Sequence, residues 1–212
     1  DRARALREPG RAGGAMNVHG VGHVVLKVRD LDRAAGFYAG VLGLKEVGRL
    51  GDRMVFFSAT GRNHHDLACL AVGSDAPTPP ANAVGLYHVA LKVGDTLEEL
   101  REAKALLDRH GVPIRQIRDH EVSQSIYLDD PDGNVVELFV DGDPAIWAAN
   151  PAAVAQTKPL ALGYPLDFLL RHRGNAREEP LDLALRGVVR EDQLLRLRPV
   201  HDVGDPVVEA GR

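Results

Sequence analysis

The chain has 212 residues, 44% of them hydrophobic, enough for a soluble domain with a buried core. Lys and Arg total 26 against 30 for Asp and Glu, a net charge of −4, so nothing in the bulk electrostatics favours nucleic acid. Cys69, the only cysteine, excludes an internal disulfide and fits a reducing compartment, and no apolar run approaches the ~18–20 residues of a membrane span.

Residues 1–16 are rich in Arg, Gly and Ala with no usable period. They read as a disordered extension before a domain spanning 17–141, and they lack the apolar stretch of a secretory signal. The expectation is a cytoplasmic protein. Val21–Val28 reads as a strand and Asp30–Leu42 as a helix, with Ala34, Phe37, Tyr38, Val41 and Leu42 at helical spacing and Gly43 at its end. Met54–Ser58 and Asp66–Val72 read as strands, and Gly73–Ala83, with its prolines, as a linker. A second module opens with Leu86–Val93. Thr96 to Glu99 has the spacing of a capping box, Leu100, Ala103 and Leu107 form an apolar stripe, and Gly111 with Pro113 ends the helix. Ser125–Leu128 and Val135–Val140 are strands joined by the Asp-, Pro- and Gly-rich turn 129–134. The modules span about 19–73 and 85–141, and each reads β-α-β-β-β. Residues 142–174 are expected to pack on the domain. Residues 175–212 are expected to be a loose tail, with a short helix near Leu181–Leu197.

The modules share more than their order of elements. Gly22-His23-Val24-Val25-Leu26-Lys27-Val28 recurs as Tyr87-His88-Val89-Ala90-Leu91-Lys92-Val93, with a histidine at the same place. Alternate strand residues share a face, so His23 sides with Val25 and His88 with Ala90, opposite the apolar residues that should meet the helices. Glu137 lies inside the apolar run VVELFV, where a carboxylate is costly unless paired, hydrogen-bonded or bound to metal. Two histidines and one carboxylate are the ingredients of a facial triad with open positions on iron, which nominates His23, His88 and Glu137 as metal ligands. Tyr127 and Glu137 are equidistant from Asp132, so a hairpin centred there would set them opposite each other.

The paired modules, HVVLKV, HVALKV and YLDDPDGNVVELFVD resemble the vicinal oxygen chelate superfamily of glyoxalases, extradiol dioxygenases and antibiotic-resistance proteins, over about Gly20–Asp141. The resemblance implies an α+β fold in which two βαβββ modules pair into a curved mixed sheet around one metal site, with helices outside. His65-Asp66, His120 and Tyr127 resemble the catechol 2,3-dioxygenase-like branch. There, a histidine at the position of His65 acts as acid–base residue, one at His120 hydrogen-bonds substrate, and the tyrosine contacts the catecholate oxygen. Two departures stand out. Two-domain extradiol enzymes carry a further pair of modules for which this chain has no room, and the His120–Tyr127 segment is shorter than in those enzymes.

The implied activity is extradiol ring opening of a catechol-type aromatic with Fe(II), or less often Mn(II), and O2. The implied partners are a small aromatic diol and O2, with no nucleic acid or membrane; a homo-oligomer stays open. Glyoxalase-like isomerases or lyases are an alternative, although their sites usually add a carboxylate from the last strand of the first module. Here that strand reads LACLAV, without an acid. The other alternative is a non-enzymatic small-molecule-binding resistance protein.

Overall fold

The computed structural model describes residues 16–164. The expectations for residues 1–15, the distal part of 142–174 and the 175–212 tail lie outside the described residues. Two compact units divide after Ser74, at the head of the Gly73–Ala83 stretch.

The first unit runs β1 (Val24–Val28), α1 (Leu31–Tyr38), β2 (Lys45–Leu50), β3 (Met54–Ser58) and β4 (Leu67–Ala71). Its sheet has the order β1-β4-β3-β2, with β1 parallel to β4 and the other pairs antiparallel. The second unit repeats this plan with β5 (Val89–Gly94), α2 (Leu97–Arg109), β6 (Ile114–Asp119), β7 (Ser123–Asp129) and β8 (Val135–Asp141). Its order is β5-β8-β7-β6, with β5 parallel to β8, and a short β9 (Lys158–Pro159) is added beside β6. The chain between β8 and β9 forms α3 (Pro144–Ala149) and a 3-10 turn (Pro151–Ala155). The fold is therefore α+β, with two open mixed sheets of identical βαβββ topology. Among the described residues no helix is long and apolar enough to cross a membrane.

Each unit builds its core from one sheet face and one helix. In the first, Leu26, Val28, Val55, Phe57, Leu67 and Cys69 are buried on the face where α1 contributes Leu31, Ala34, Phe37 and Tyr38. In the second, Val136, Leu138 and Val140 of β8 and Ile126 and Leu128 of β7 are buried with Leu100, Ala105 and Leu107 of α2. Ala105, rather than Ala103, is the buried alanine of that stripe. The Thr96 cap forms in full: Thr96 Oγ1 accepts from Glu99 N, while Glu99 Oε2 accepts from Thr96 N at 2.9 Å. Helix α2 ends at Arg109, and Gly111 just beyond it has a φ of 65°, in the left-handed region.

Strands β1 and β5 each begin three residues later than the sequence reading places them, just after His23 and His88, and three further elements depart from it. Helix α1 ends at Tyr38 instead of Leu42, because Gly36 and Gly40 weaken it. Beyond Tyr38 the backbone turns to wider bonds, Gly40 N to Ala35 O and Leu42 N to Phe37 O. Strands β2 (KEVGRL) and β6 (IRQIRD) carry charges without a clean alternation. β2 is the exposed edge of its sheet and is bulged between Glu46 and Gly48; β6 is bulged between Ile114 and Gln116.

Candidate functional site

The strand that carries Glu137 is held in register by its turn. Asp130 Oδ1 accepts from the backbone N–H of Asp132 and Asn134 at 2.8 Å each, and Gly133 adopts φ 88°. This closes the β7–β8 hairpin so that Tyr127 pairs directly with Glu137, as its centre on Asp132 requires. Glu137 also pairs with Ala90 across β5, so one row on this face reads Ala90, Glu137, Tyr127, Gln116. His88 stands at the head of β5, two residues before Ala90 and on the same side.

Glu137 is only 7% exposed, yet both its oxygens are engaged. Ser125 Oγ donates to Oε1 at 2.6 Å, and His88 Nε2 lies 2.9 Å from Oε2. His88 Nδ1 is buried and meets no hydrogen-bond partner among the described residues. With the ring proton on Nε2 this contact is an ordinary hydrogen bond; with it on Nδ1, Nε2 and Oε2 are two acceptors face to face, a place for a cation. Two donor atoms at right angles, each ~2.1 Å from an ion, are ~3 Å apart, so the His88–Glu137 spacing suits adjacent ligands of a metal. The chemistry of the pair, imidazole with carboxylate, suits a divalent first-row metal.

Tyr127 and His120 lie beside this pair. His120 Nε2 and the Tyr127 hydroxyl are 3.0 Å apart, and the His88 and Tyr127 rings meet edge to face at 5.6 Å. His120 Nδ1 lies 3.2 Å from the Gln156 carbonyl. A carbonyl only accepts, so the proton is on Nδ1 and the neutral ring presents Nε2 as an acceptor for Tyr127 O–H. Burial, and then the Glu137 carboxylate, push the Tyr127 phenol above its ordinary range, so it stays protonated at neutral pH. His120 itself is carried by a tight β6–β7 turn in which Glu121 adopts φ 65°. The turn is pressed against Gly142, where a Cβ would collide with the Glu121 carbonyl oxygen.

The first unit gathers a different set. His23 heads β1 as His88 heads β5; its ring lies 4.2 Å from that of His65, centroid to centroid. His65 also meets Phe56 edge to face at 5.2 Å, and its Nδ1 is 2.6 Å from Nδ1 of His64, so one proton is shared between those rings. Desolvation, then the neighbouring His23 and His64, hold His65 below the usual histidine range against a smaller opposing pull from Asp66. At neutral pH it is an uncharged imidazole. The register position of Glu137 is filled in this unit by Ala68, since Val25 pairs with Ala68 as Ala90 pairs with Glu137. Among the described residues no group of three or more His, Cys, Asp or Glu side chains is arranged to hold a metal; His88 and Glu137 are the pair brought together.

Asp66 supports the His64–His65 loop through its carboxylate. Oδ2 accepts from Ala59 N at 2.8 Å and Ser58 Oγ at 3.1 Å, and Oδ1 accepts from Asn63 Nδ2 at 2.8 Å. The Asn63 and Ala59 bonds lead in holding its carboxyl below the ordinary range, so these contacts favour the folded state above the ordinary carboxylate range. Their contribution fades as pH falls through the lowered folded value. Asp66→Ala should therefore cost about 1–2 kcal/mol at pH 7, the side chain being part-exposed. The difference from wild type in thermal midpoint should shrink toward pH 3, as calorimetry across that range would measure.

Ser125 went unrecognised in the sequence. Its signal is a serine two residues before Tyr127, hence on the Glu137 face of its strand, next to the buried Ile126, Tyr127 and Leu128.

The sequence profile of the Glyoxalase/Bleomycin resistance protein/Dioxygenase superfamily matches residues 20–138. The chain is 37% identical over 128 residues to a catechol-2,3-dioxygenase of Bacillus subtilis (strain 168), covering 60% of this chain and 43% of that protein. It therefore spans less than half the length of that relative. It is 29% identical over 170 residues to biphenyl-2,3-diol 1,2-dioxygenase 2 of Rhodococcus globerulus, covering 71% of this chain and 86% of that one. Among solved structures, a glyoxalase/dioxygenase from Nostoc punctiforme matches with a TM-score of 0.52 at 20% identity, over 67% of this chain and all of that one, a likeness of fold.

Proposed function

The chain belongs to the Glyoxalase/Bleomycin resistance protein/Dioxygenase superfamily, and from that premise we propose that it is an extradiol, ring-opening dioxygenase acting on a catechol-type aromatic with Fe(II) and O2. The observation that carries this reading is Ala68. A carboxylate at that register position would give a fourth protein ligand of the glyoxalase kind, and the alanine leaves that place without a donor. The proposed ligands are His88 and Glu137, with His23 as the third because it occupies in β1 the place that His88 occupies in β5. Fe(II) bound there would supply redox-active open positions for a diol and O2. The 37% identity to a catechol-2,3-dioxygenase supports the substrate class.

The protein's own groups handle the protons. Tyr127 donates its O–H to His120 Nε2, and its oxygen can accept from a diol hydroxyl. A proton taken up there can pass on to His120, whose Nδ1–H stays on the Gln156 carbonyl. His65, uncharged at neutral pH, is suited to take and return a proton as the ring opens.

Anaerobic loading with Fe(II), followed by a panel of catechols in an oxygen electrode, tests the proposal. At least one diol should consume O2 in equal amount and yield a product absorbing in the visible. Absence of uptake with every catechol would contradict the dioxygenase reading in favour of an isomerase or lyase.

A further inference from the structure

The sheet faces that carry His23 and His88 differ at three linked positions. Where the second unit has Glu137, Tyr127 and Ser125, the same register in the first unit has Ala68, Phe56 and Met54. The carboxylate, the phenol and the hydroxyl thus come as a set, and the counterpart row is apolar. Ser125 is fully buried, where a hydroxyl is costly without a partner. Its partner is Glu137 Oε1 at 2.6 Å, a length typical of a hydroxyl donating to a charged acceptor. The other oxygen, Oε2, is the one facing His88 Nε2 at 2.9 Å. The two carboxylate oxygens therefore have different tasks.

We propose that Ser125 is a positioning residue for the metal centre. It ties up Oε1 and turns Glu137 so that Oε2 alone is offered to the ion that His88 binds. A carboxylate held in this way contributes one ligand atom instead of two and leaves one more position for diol or O2. The inference rests on the metal-binding part of the proposed function, and reaches beyond it to how the open positions are kept open.

Fe(II) affinity, measured anaerobically by competition with a chromophoric chelator, tests it in wild type, His88→Ala, Ser125→Ala and Ser125→Thr. Loss of a group that orients a metal ligand costs ~10–100-fold in affinity. That weakening is expected for Ser125→Ala, with most of the affinity restored in Ser125→Thr, which keeps the hydroxyl. The thermal midpoint of each metal-free variant, read in parallel, should follow packing and not the affinity. Wild-type affinity in Ser125→Ala, or equal weakening in the alanine and threonine variants, would overturn the role of the hydroxyl while the metal assignment stands. Wild-type protein that binds no Fe(II), or a His88→Ala variant that keeps it, would overturn the metal reading and this inference together.

Discussion

Glu137→Ala is expected to abolish stoichiometric Fe(II) binding and leave a folded domain. Among the described residues the carboxylate supplies the only negative charge that His88 Nε2 faces at hydrogen-bond distance, and at 7% exposure no solvent-borne anion replaces it. Folding should survive because the core lies on the opposite face, with Val136, Leu138 and Val140 against α2. Removal strands Ser125 Oγ and His88 Nε2, at about 1–3 kcal/mol for each unsatisfied group. It also relieves the burial of a carboxylate, which offsets part of that cost. Metal analysis after anaerobic loading and desalting, with circular dichroism as the check on folding, measures both effects. His88→Ala and His23→Ala should lose metal in the same way. Wild-type metal content in the Glu137 variant would remove it from the ligand set.

The second large effect is expected at His65. His65→Phe should keep iron and catechol binding and lower turnover by about 10²–10⁴, the range of a positioned acid–base group. The loop should hold its shape without the ring. Asp66 anchors it through Ala59, Ser58 and Asn63, and Asn63 Nδ2 reaches the His65 main-chain carbonyl at 2.9 Å, not its side chain. Anaerobic catechol titration reads binding, and O2 uptake reads turnover. Loss of iron would make His65 a ligand, and full turnover would take it out of the chemistry.

How far the sequence carried depended on what each residue leaves in a one-dimensional pattern. The repeated histidine strands were legible because a period of two and a duplicated seven-residue stretch survive without knowledge of contacts. The Tyr127–Glu137 pairing was legible because one turn centre fixes an antiparallel register, and the structure has that pairing. Strands β2 and β6 left no such trace. Exposure of β2 along its length lets charges occupy both faces, which erases alternation. The sequence pattern carries helix α1 four residues too far because Val41 and Leu42 keep helical spacing while the backbone beyond Tyr38 has already loosened. Ser125 was invisible for another reason. A serine in a strand is unremarkable until its burial and the 2.6 Å bond to Glu137 are known. The link from His120 to Gln156 joins residues far apart in the chain, and no local pattern encodes it.

The proposed extradiol cleavage inserts both atoms of O2 into the diol. Turnover of a catechol under oxygen-18 gas, with mass spectrometry of the ring-opened product, reads that insertion. Both labelled atoms should appear in the product, with label lost from the aldehyde only through later exchange with water. Product formed without label, or formed equally well in the absence of O2, would contradict it.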